Sequence, residues 1–163
     1  MTVTFDLKRY QNSLEIQRAL LGAKTVAVVG LSGNSLRASN FIGFYLKRHG
    51  YDVIPVNPRE DEILGDKCYD SLLDIPVPID IVNVFRNPEA LPGIAKDTVA
   101  IGAKALWCQF NVISEEGARI AEEGGVTVIM DRCIKVEHAR YIGRMHWLGF
   151  NTERITSVRR GLE

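Results

Sequence analysis

The sequence has 163 residues, 46% of them hydrophobic, so the chain can bury a core without disulfides or metals, and we expect a single domain over residues 1–163. Its 20 basic and 20 acidic side chains cancel, and no Lys/Arg run is longer than Arg159-Arg160. This balance argues against a nucleic-acid or membrane surface and indicates that the partners are small molecules or proteins.

Short apolar runs alternate with helical patterns along the chain, which is typical of an α/β protein. The predicted strands cover residues 25–29, 51–56, 79–85, 103–108 and 126–130. The predicted helices cover residues 12–22, about 39–49, 87–99 and 114–123. Asn12 or Ser13 is expected to cap the first helix and Ser114 the last. The polar stretch 57–78 is predicted to be a loop with at most a short turn of helix.

The first two helices each carry an apolar face that we expect to pack on the sheet. The residues predicted to face inward are Leu14, Leu20 and Leu21 in the first helix and Phe41, Ile42, Tyr45 and Leu46 in the second.

The predicted strands are apolar on nearly every residue, as a sheet covered on both faces requires. Right-handed crossovers then favour an open, doubly wound parallel sheet of about five strands in three layers. Ligands of such sheets bind at the carboxyl ends of the strands, which here read GLS, VNP, FRNP, CQFN and MDRC. We therefore expect the functional site at this edge.

The segment TVAVVGLSGNSLRASN, residues 25–40, joins a strand to a helix through a glycine turn. A dinucleotide fingerprint needs glycine at positions 30, 32 and 35, but the chain has Gly30, Ser32 and Ser35, and no GK[ST] sequence follows. What remains is one glycine, several hydroxyls including that of Ser39, the cation of Arg37 and a helix N-terminus. These features favour a phosphate-bearing ligand in a looser loop.

The end of the second predicted strand reads Asn57-Pro58-Arg59, and the first acidic residue there is Glu60. NAD sites place an acid at this strand end to accept the ribose hydroxyls. The sequence therefore favours another adenine nucleotide over NAD.

Seven features in a fixed order carry a resemblance to a known family: VAVVGLS, Arg37 with Ser39, GYDVIPVNP, ILGDKCYDSLLDIP, VFR, GAKALWCQF and MDRCIKVEHAR. The chain resembles the small stand-alone CoA-binding-domain proteins, which are similar to the CoA-binding domain of the succinyl-CoA synthetase α subunit. The resemblance covers about residues 14–141, and residues 144–163 are a C-terminal extension outside it.

This resemblance implies a Rossmann-like fold that binds coenzyme A as its cofactor. The residues themselves show no nucleophile paired with a base and no His/Cys/Asp cluster with metal-ligand spacing, so we expect no catalytic residue and no metal. The residues that it implies as ligand contacts are Gly30, Leu31, Ser32, Arg37, Ser39, Asn57, Pro58, Arg59, Phe85, Arg86 and Gln109. Taken singly, Gly30 also fits a tight turn, Ser39 an N-cap and Pro58 a strand end, so the prediction rests on their joint placement.

Three functions remain open at this point. The first is a non-catalytic module that binds CoA or acyl-CoA, as a sensor, carrier or regulatory partner. The second is an NAD(P)-dependent oxidoreductase in which Arg59 holds a 2′-phosphate, and the third is a protein-interaction domain without a ligand. Trp147, Leu148 and Phe150 in the extension are expected to pack on the domain or on a second subunit, so a homo-oligomer or a protein partner also stays open.

The chain has three cysteines, Cys68, Cys108 and Cys133, which form no C-x-x-C pair and leave one thiol over. This pattern suits a reducing compartment, and no stretch approaches the ~20 apolar residues of a membrane span. We therefore expect a cytoplasmic protein. Cys108 is predicted to lie in the core, and a mixed disulfide between Cys133 and the CoA thiol is left open.

Overall fold

Five parallel strands form the central sheet of the computed structural model, which describes residues 4–143. In chain order the strands are β1 (Thr25–Val29), β2 (Asp52–Val56), β3 (Glu62–Ile63), β4 (Asp66–Lys67), β5 (Ile81–Val84), β6 (Ala105–Cys108) and β7 (Thr127–Met130). The sheet has the order β2-β1-β5-β6-β7, and β3 and β4 form a separate antiparallel hairpin. The predicted open parallel sheet of five strands is confirmed, and the fold is Rossmann-like.

Five α-helices accompany these strands in the described part of the chain. They are α1 (Ser13–Gly22), α2 (Ala38–Arg48), α3 (Leu91–Ala100), α4 (Glu115–Glu123) and α5 (Ile134–Tyr141). Short 3-10 helices cover Leu7–Tyr10, Leu72–Asp74 and Pro88–Ala90. The predicted caps Asn12 and Ser114 are confirmed, since their side chains accept hydrogen bonds from the first-turn amides of α1 and α4.

The helices cover the sheet in two layers. On one face, α3 and α4 pack on the core with Leu91, Ala95 and Ala118. On the other face, α1, α2 and α5 pack with side chains that include Leu20 and Leu46. Because the sheet is enclosed on both sides, every residue of β5 and β6 is buried, which explains why these strands are apolar at nearly every position.

The predicted inward faces of α1 and α2 are partly wrong. Leu14 and Leu21 of α1 are 53% and 71% exposed, and Phe41 of α2 is 55% exposed. The buried pair of α1 is Ile16 and Leu20, which lie four residues apart on one helical face. At 3.6 residues per turn, Leu14 and Leu21 lie well away from that face, so only one of the three leucines points to the core. Ile42 and Leu46 of α2 are buried as predicted, and Tyr45 is half-buried.

The predicted loop 57–78 contains the β3–β4 hairpin and the Leu72–Asp74 turn of 3-10 helix. Strands of two residues show no periodicity that a sequence pattern can reveal. The hairpin closes through Leu64-Gly65, both with positive φ, and a tertiary contact adds to it, since the Lys47 ammonium lies 2.7 Å from both the Leu64 carbonyl and the Asp66 carboxylate. The other predicted strands are correct to within two residues at each end.

Three further expectations from the sequence concern a membrane span, a metal site and the C-terminal extension. In residues 4–143 we find no helix long and apolar enough to cross a membrane. The same residues contain no group of three His, Cys, Asp or Glu side chains placed to hold a metal ion. The C-terminal extension 144–163, with Trp147, Leu148 and Phe150, lies outside the described residues.

A buried histidine joins α5 to α2. His138 is 4% exposed, and its Nδ1 lies 2.9 Å from the Tyr45 hydroxyl, with which it hydrogen-bonds. The rings of His49 and Tyr51 contact it edge to face, with centroids 5.1 and 5.6 Å away. Burial lowers the pKa of His138 to about 4, and the nearby His49 acts in the same direction. His138 is therefore neutral in the folded protein near pH 7.

We expect acid to destabilise the fold through His138. The stabilising contribution is fully present above the unfolded pKa of 6.5 and is lost as the pH falls toward the folded pKa of about 4. At about 1.4 kcal/mol per pH unit, the loss between pH 6.5 and pH 5 is about 2 kcal/mol. Urea unfolding at pH 7 and pH 5 measures it. His138→Gln should reduce the difference, and an equal pH dependence in both proteins would contradict this origin.

Candidate functional site

The strand order places a switch in chain direction between β1 and β5. After β1 the chain crosses through α2 to β2 on one side, and after β5 it crosses through α3 to β6 on the other. The loops that follow β1 and β5 therefore part at the carboxyl edge of the sheet. Ligands of open α/β sheets bind in the crevice that forms at such a switch point.

Gly30 ends β1 at this switch point. Its φ is +86°, and its amide donates to the Val56 carbonyl at 2.9 Å. A Cβ at Gly30 would lie 2.8 Å from the Phe85 carbonyl oxygen and 3.2 Å from Cδ of Arg86. Only a residue without a side chain fits here, and the close approach brings the Phe85-Arg86 strand end against the glycine turn.

The loop after Gly30 is fixed by the first turn of α2. The Ser39 hydroxyl, which is buried, accepts a hydrogen bond from the Ser32 amide at 3.1 Å. Asn40 donates to the Ser32 carbonyl at 2.8 Å. Arg37 occupies the N-cap position of α2 without a capping hydrogen bond from its side chain. Asn40 was missed by the sequence analysis, since an asparagine inside a helix gives no signal of the loop that it holds.

The end of β2 contributes a second support. The Asn57 side chain donates to the Leu31 carbonyl at 3.1 Å and accepts from the Arg59 amide at 2.9 Å. Asn57 therefore ties the β2 end to the glycine turn, and Leu31 is fully buried beneath it.

Glu60 also reaches the glycine turn, where its carboxylate accepts a hydrogen bond from the Gly33 amide at 2.8 Å. A Cβ at Gly33 would lie 2.6 and 2.9 Å from the two carboxylate oxygens, so the space that Glu60 fills exists because residue 33 is glycine. In the sequence, three residues separate Glu60 from the end of β2, so the pattern indicates no acid at this strand end. The loop between Val56 and Glu60 folds back, and the acid is brought to the loop after β1.

Three arginines border this part of the molecule, and all three were predicted as ligand contacts. Arg37, Arg59 and Arg86 are exposed, and none forms an ion pair with a residue between 4 and 143. Elsewhere, basic side chains such as Arg132 and Arg140 are paired with Glu137. The carboxyl edge thus presents guanidinium groups that have no ion pair within residues 4–143, a feature suited to anions.

The predicted contact Gln109 uses its side-chain oxygen to hold the start of α5. It is 4% exposed, and its Oε1 accepts a hydrogen bond from the Ile134 amide at 2.9 Å, which fixes the start of α5. Pro58 is exposed and Phe85 is half-buried at the same edge of the sheet. A ligand role for Gln109 stays a prediction.

All three cysteines are buried and unpaired. Burial raises the pKa of the Cys108 thiol, which has the core position that was predicted for it. Burial also raises the pKa of Cys68, whose thiol donates a hydrogen bond to the Asn57 carbonyl at 3.3 Å. Neither thiol is set up as a nucleophile.

A cavity of about 260 Å³ lies at the opposite edge of the sheet, where α1 passes the amino ends of the strands. Asp80 and Lys104 line it and already pair at 3.1 Å. Burial of Asp80 favours the neutral acid, but hydrogen bonds from the Lys24 and Thr25 amides and from Lys104 outweigh this and keep its pKa below the usual value. These charges hold strand ends together, and the candidate site lies at the opposite, carboxyl edge.

Comparison with known proteins agrees with this geometry. A family model described as CoA binding domain matches residues 24–139. The chain is 47% identical to the uncharacterized protein YneT of Bacillus subtilis over 125 residues, which are 77% of this chain and 93% of that protein. A hypothetical protein from Pyrococcus horikoshii OT3 has a similar structure, with a TM-score of 0.79 and 39% identity over 81% of this chain and 93% of that one.

A much larger protein contains a similar segment. The ADP-forming acetate–CoA ligase II of Archaeoglobus fulgidus is 33% identical over 122 residues, which are 74% of this chain but 18% of the ligase. The likeness therefore concerns one part of the ligase.

We expect Gly30→Ala to destabilise the protein more than Gly50→Ala. Both glycines have a positive φ, so each substitution carries about 1 to 2 kcal/mol of left-handed backbone strain. A methyl group at Gly50 would meet no atom within 4 Å, whereas one at Gly30 would press on the Phe85 carbonyl, and overpacking adds about 1 to 3 kcal/mol. Chemical denaturation of both variants measures the difference, and equal losses would show that the close approach is unimportant.

Proposed function

We propose that this chain, which belongs to the CoA binding domain family, binds coenzyme A or acyl-CoA at the carboxyl edge of its sheet. The domain spans residues 1–163 with its core at 14–141, and it holds the coenzyme without transforming it. In this proposal the protein acts as a sensor, carrier or regulatory partner, in the reducing compartment that its three unpaired cysteines favour.

The observation that carries the proposal is the glycine turn at the switch point. Gly30 packs against the Phe85 carbonyl, and the Gly33 amide already holds the Glu60 carboxylate, which supports an anion site in this loop. CoA carries a pyrophosphate and a 3′-phosphate, and both need amide and cationic donors. Arg37, Arg59 and Arg86 supply the cations.

The predicted contact residues divide into two roles. Those that offer groups to the coenzyme are the Ser32 hydroxyl, the three arginines, and the apolar surfaces of Pro58 and Phe85. Gly30 and Leu31 shape the turn instead, since the Gly30 amide donates to Val56 and the Leu31 carbonyl accepts from Asn57. The side chains of Ser39 and Asn57 hydrogen-bond the loop backbone, and these residues therefore act by positioning the loop. Gln109 contributes through the start of α5.

Support for a role without catalysis comes from the placement of the reactive side chains. His138 is buried between α5 and α2, where it hydrogen-bonds Tyr45. Cys108 is buried in β6. Neither lies in the glycine turn, and a nucleophile must be paired with a base at the reacting centre to act.

One observation favours the alternative of an NAD(P)-dependent oxidoreductase. Glu60 lies against the glycine turn, and an acid near this loop is what NAD sites use to hold the ribose hydroxyls. Two of the three dinucleotide glycines are still replaced by Ser32 and Ser35. We therefore keep CoA as the proposed ligand and test NAD beside it.

We expect CoA to bind more tightly than dephospho-CoA and both to bind more tightly than NAD. A 3′-phosphate that reaches Arg37 or Arg59 gains a charge-assisted pair that dephospho-CoA cannot form. Isothermal titration calorimetry with the three ligands measures this order. Tighter binding of NAD would favour the oxidoreductase, and equal binding of CoA and dephospho-CoA would remove the contact to the 3′-phosphate.

We expect Arg37→Ala to weaken CoA binding by roughly ten- to a hundredfold, since a charge-assisted hydrogen bond contributes about 1.5 to 3 kcal/mol. Arg119→Ala on α4 is the matched control, because it removes the same charge from an exposed arginine that pairs only with Glu123 in the described chain. Calorimetry of the two variants and the parent protein measures the effect. Equal affinities for all three would show that Arg37 does not contact the coenzyme.

A further inference from the structure

The glycine turn already has an anion in it, and that anion belongs to the protein. We infer that Glu60 is an affinity-determining residue of the coenzyme site: its carboxylate holds the Gly33 amide, and a phosphate of the ligand must displace it to bind. This inference rests on the proposed function, because it assumes that the ligand's phosphates use the amides of this turn.

The contact has the geometry of a bound anion. The carboxylate accepts from the Gly33 amide at 2.8 Å, within the range of a charge-assisted hydrogen bond. Its two oxygens lie only 2.6 and 2.9 Å from the position that a Cβ at residue 33 would take, closer than a Cβ allows. The space beside this amide therefore accommodates a planar anionic group and is occupied by one.

The carboxylate is held in a way that allows it to leave. Glu60 has no ion pair with any residue from 4 to 143, although it follows Arg59 directly. The Gly33 amide is the one hydrogen-bond donor that the described chain gives it. Its side chain is half-buried and ends a flexible stem, so a change of rotamer frees the amide without moving the backbone.

Two like charges cannot share the amide. A phosphate and a carboxylate repel each other and compete for one N–H, so only molecules in which Glu60 has swung away bind the ligand fully. The apparent dissociation constant equals the intrinsic one divided by the fraction of such molecules. If the carboxylate is bound in about nine molecules of ten, removing it tightens binding about tenfold.

The turn should keep its shape without Glu60. Asn57 still holds the Leu31 carbonyl, and Ser39 and Asn40 still hold both sides of Ser32. These three hydrogen bonds come from other elements and do not involve the acid. A variant at position 60 therefore reports on competition for the amide, and its thermal unfolding verifies that the fold is retained.

The experiment is calorimetric titration of CoA and dephospho-CoA into the parent protein, Glu60→Gln and Glu60→Ala. We expect both variants to bind CoA about five- to twentyfold more tightly, with the alanine at least as tight as the glutamine because a neutral amide oxygen still accepts from Gly33. Asp61→Asn is the matched control, since it removes one negative charge from the exposed neighbour and should change the affinity less than twofold.

The second ligand identifies which phosphate competes. A gain for both ligands assigns the amide to the pyrophosphate, and a gain for CoA alone assigns it to the 3′-phosphate, and both results support the inference. Unchanged or weaker binding in the Glu60 variants overturns it, and weaker binding indicates that the acid accepts a ribose hydroxyl instead. An equal gain in Asp61→Asn overturns it as a general charge effect. If neither the parent protein nor any variant binds CoA, the proposed function itself fails. If the parent binds CoA and the Glu60 variants bind it no more tightly, only this inference fails.

Discussion

The left-handed turn at Gly30 is the constraint on which the candidate site depends. β1 has neighbours on both sides, and its last residues must pair with β2 and β5 at once. The chain leaves this crowded position only by reversing φ, and the Phe85 carbonyl fills the space where a side chain would begin. The same close approach sets the Arg86 stem beside the turn. One backbone requirement therefore determines where the loop, the strand ends and a guanidinium meet.

Around that turn, the residues that hold the loop differ from those whose charge is available to a ligand. Ser39, Asn40 and Asn57 use their polar atoms to hold the loop's backbone and have little left for a ligand. By contrast, the guanidinium groups of Arg37, Arg59 and Arg86 are exposed and have no ion pair in the described chain, so their charge is available to an anion. A loop that is preorganised in this way loses little entropy when it binds an anion, which is the usual advantage of a rigid site.

Helix α2 links this site to the rest of the fold. Its first turn carries Ser39 and Asn40, which hold the glycine loop, and its later residues carry Tyr45, which hydrogen-bonds the buried His138 of α5. Packing between α2 and α5 thus supports the element from which the loop is positioned. The charged cavity at the amino edge is separate from this arrangement, and its Asp80–Lys104 pair serves the strand ends.

By itself, the sequence determined the five-stranded sheet and the helices α1 to α4 in chain order, because these follow from apolar strands, helix caps and the chirality of crossovers, all of which are local or general. It also predicted the edge at which the candidate site lies. It also determined most of the candidate contacts, through turn residues at strand ends. The tertiary structure alone decided which helix faces are buried, since an apolar side chain such as Leu21 points inward only if a partner element lies on its side. It also set Lys47 against the β3–β4 hairpin and brought Glu60 to Gly33. Such contacts join residues far apart in the chain, and no spacing or composition in the sequence records which partners the fold will bring together.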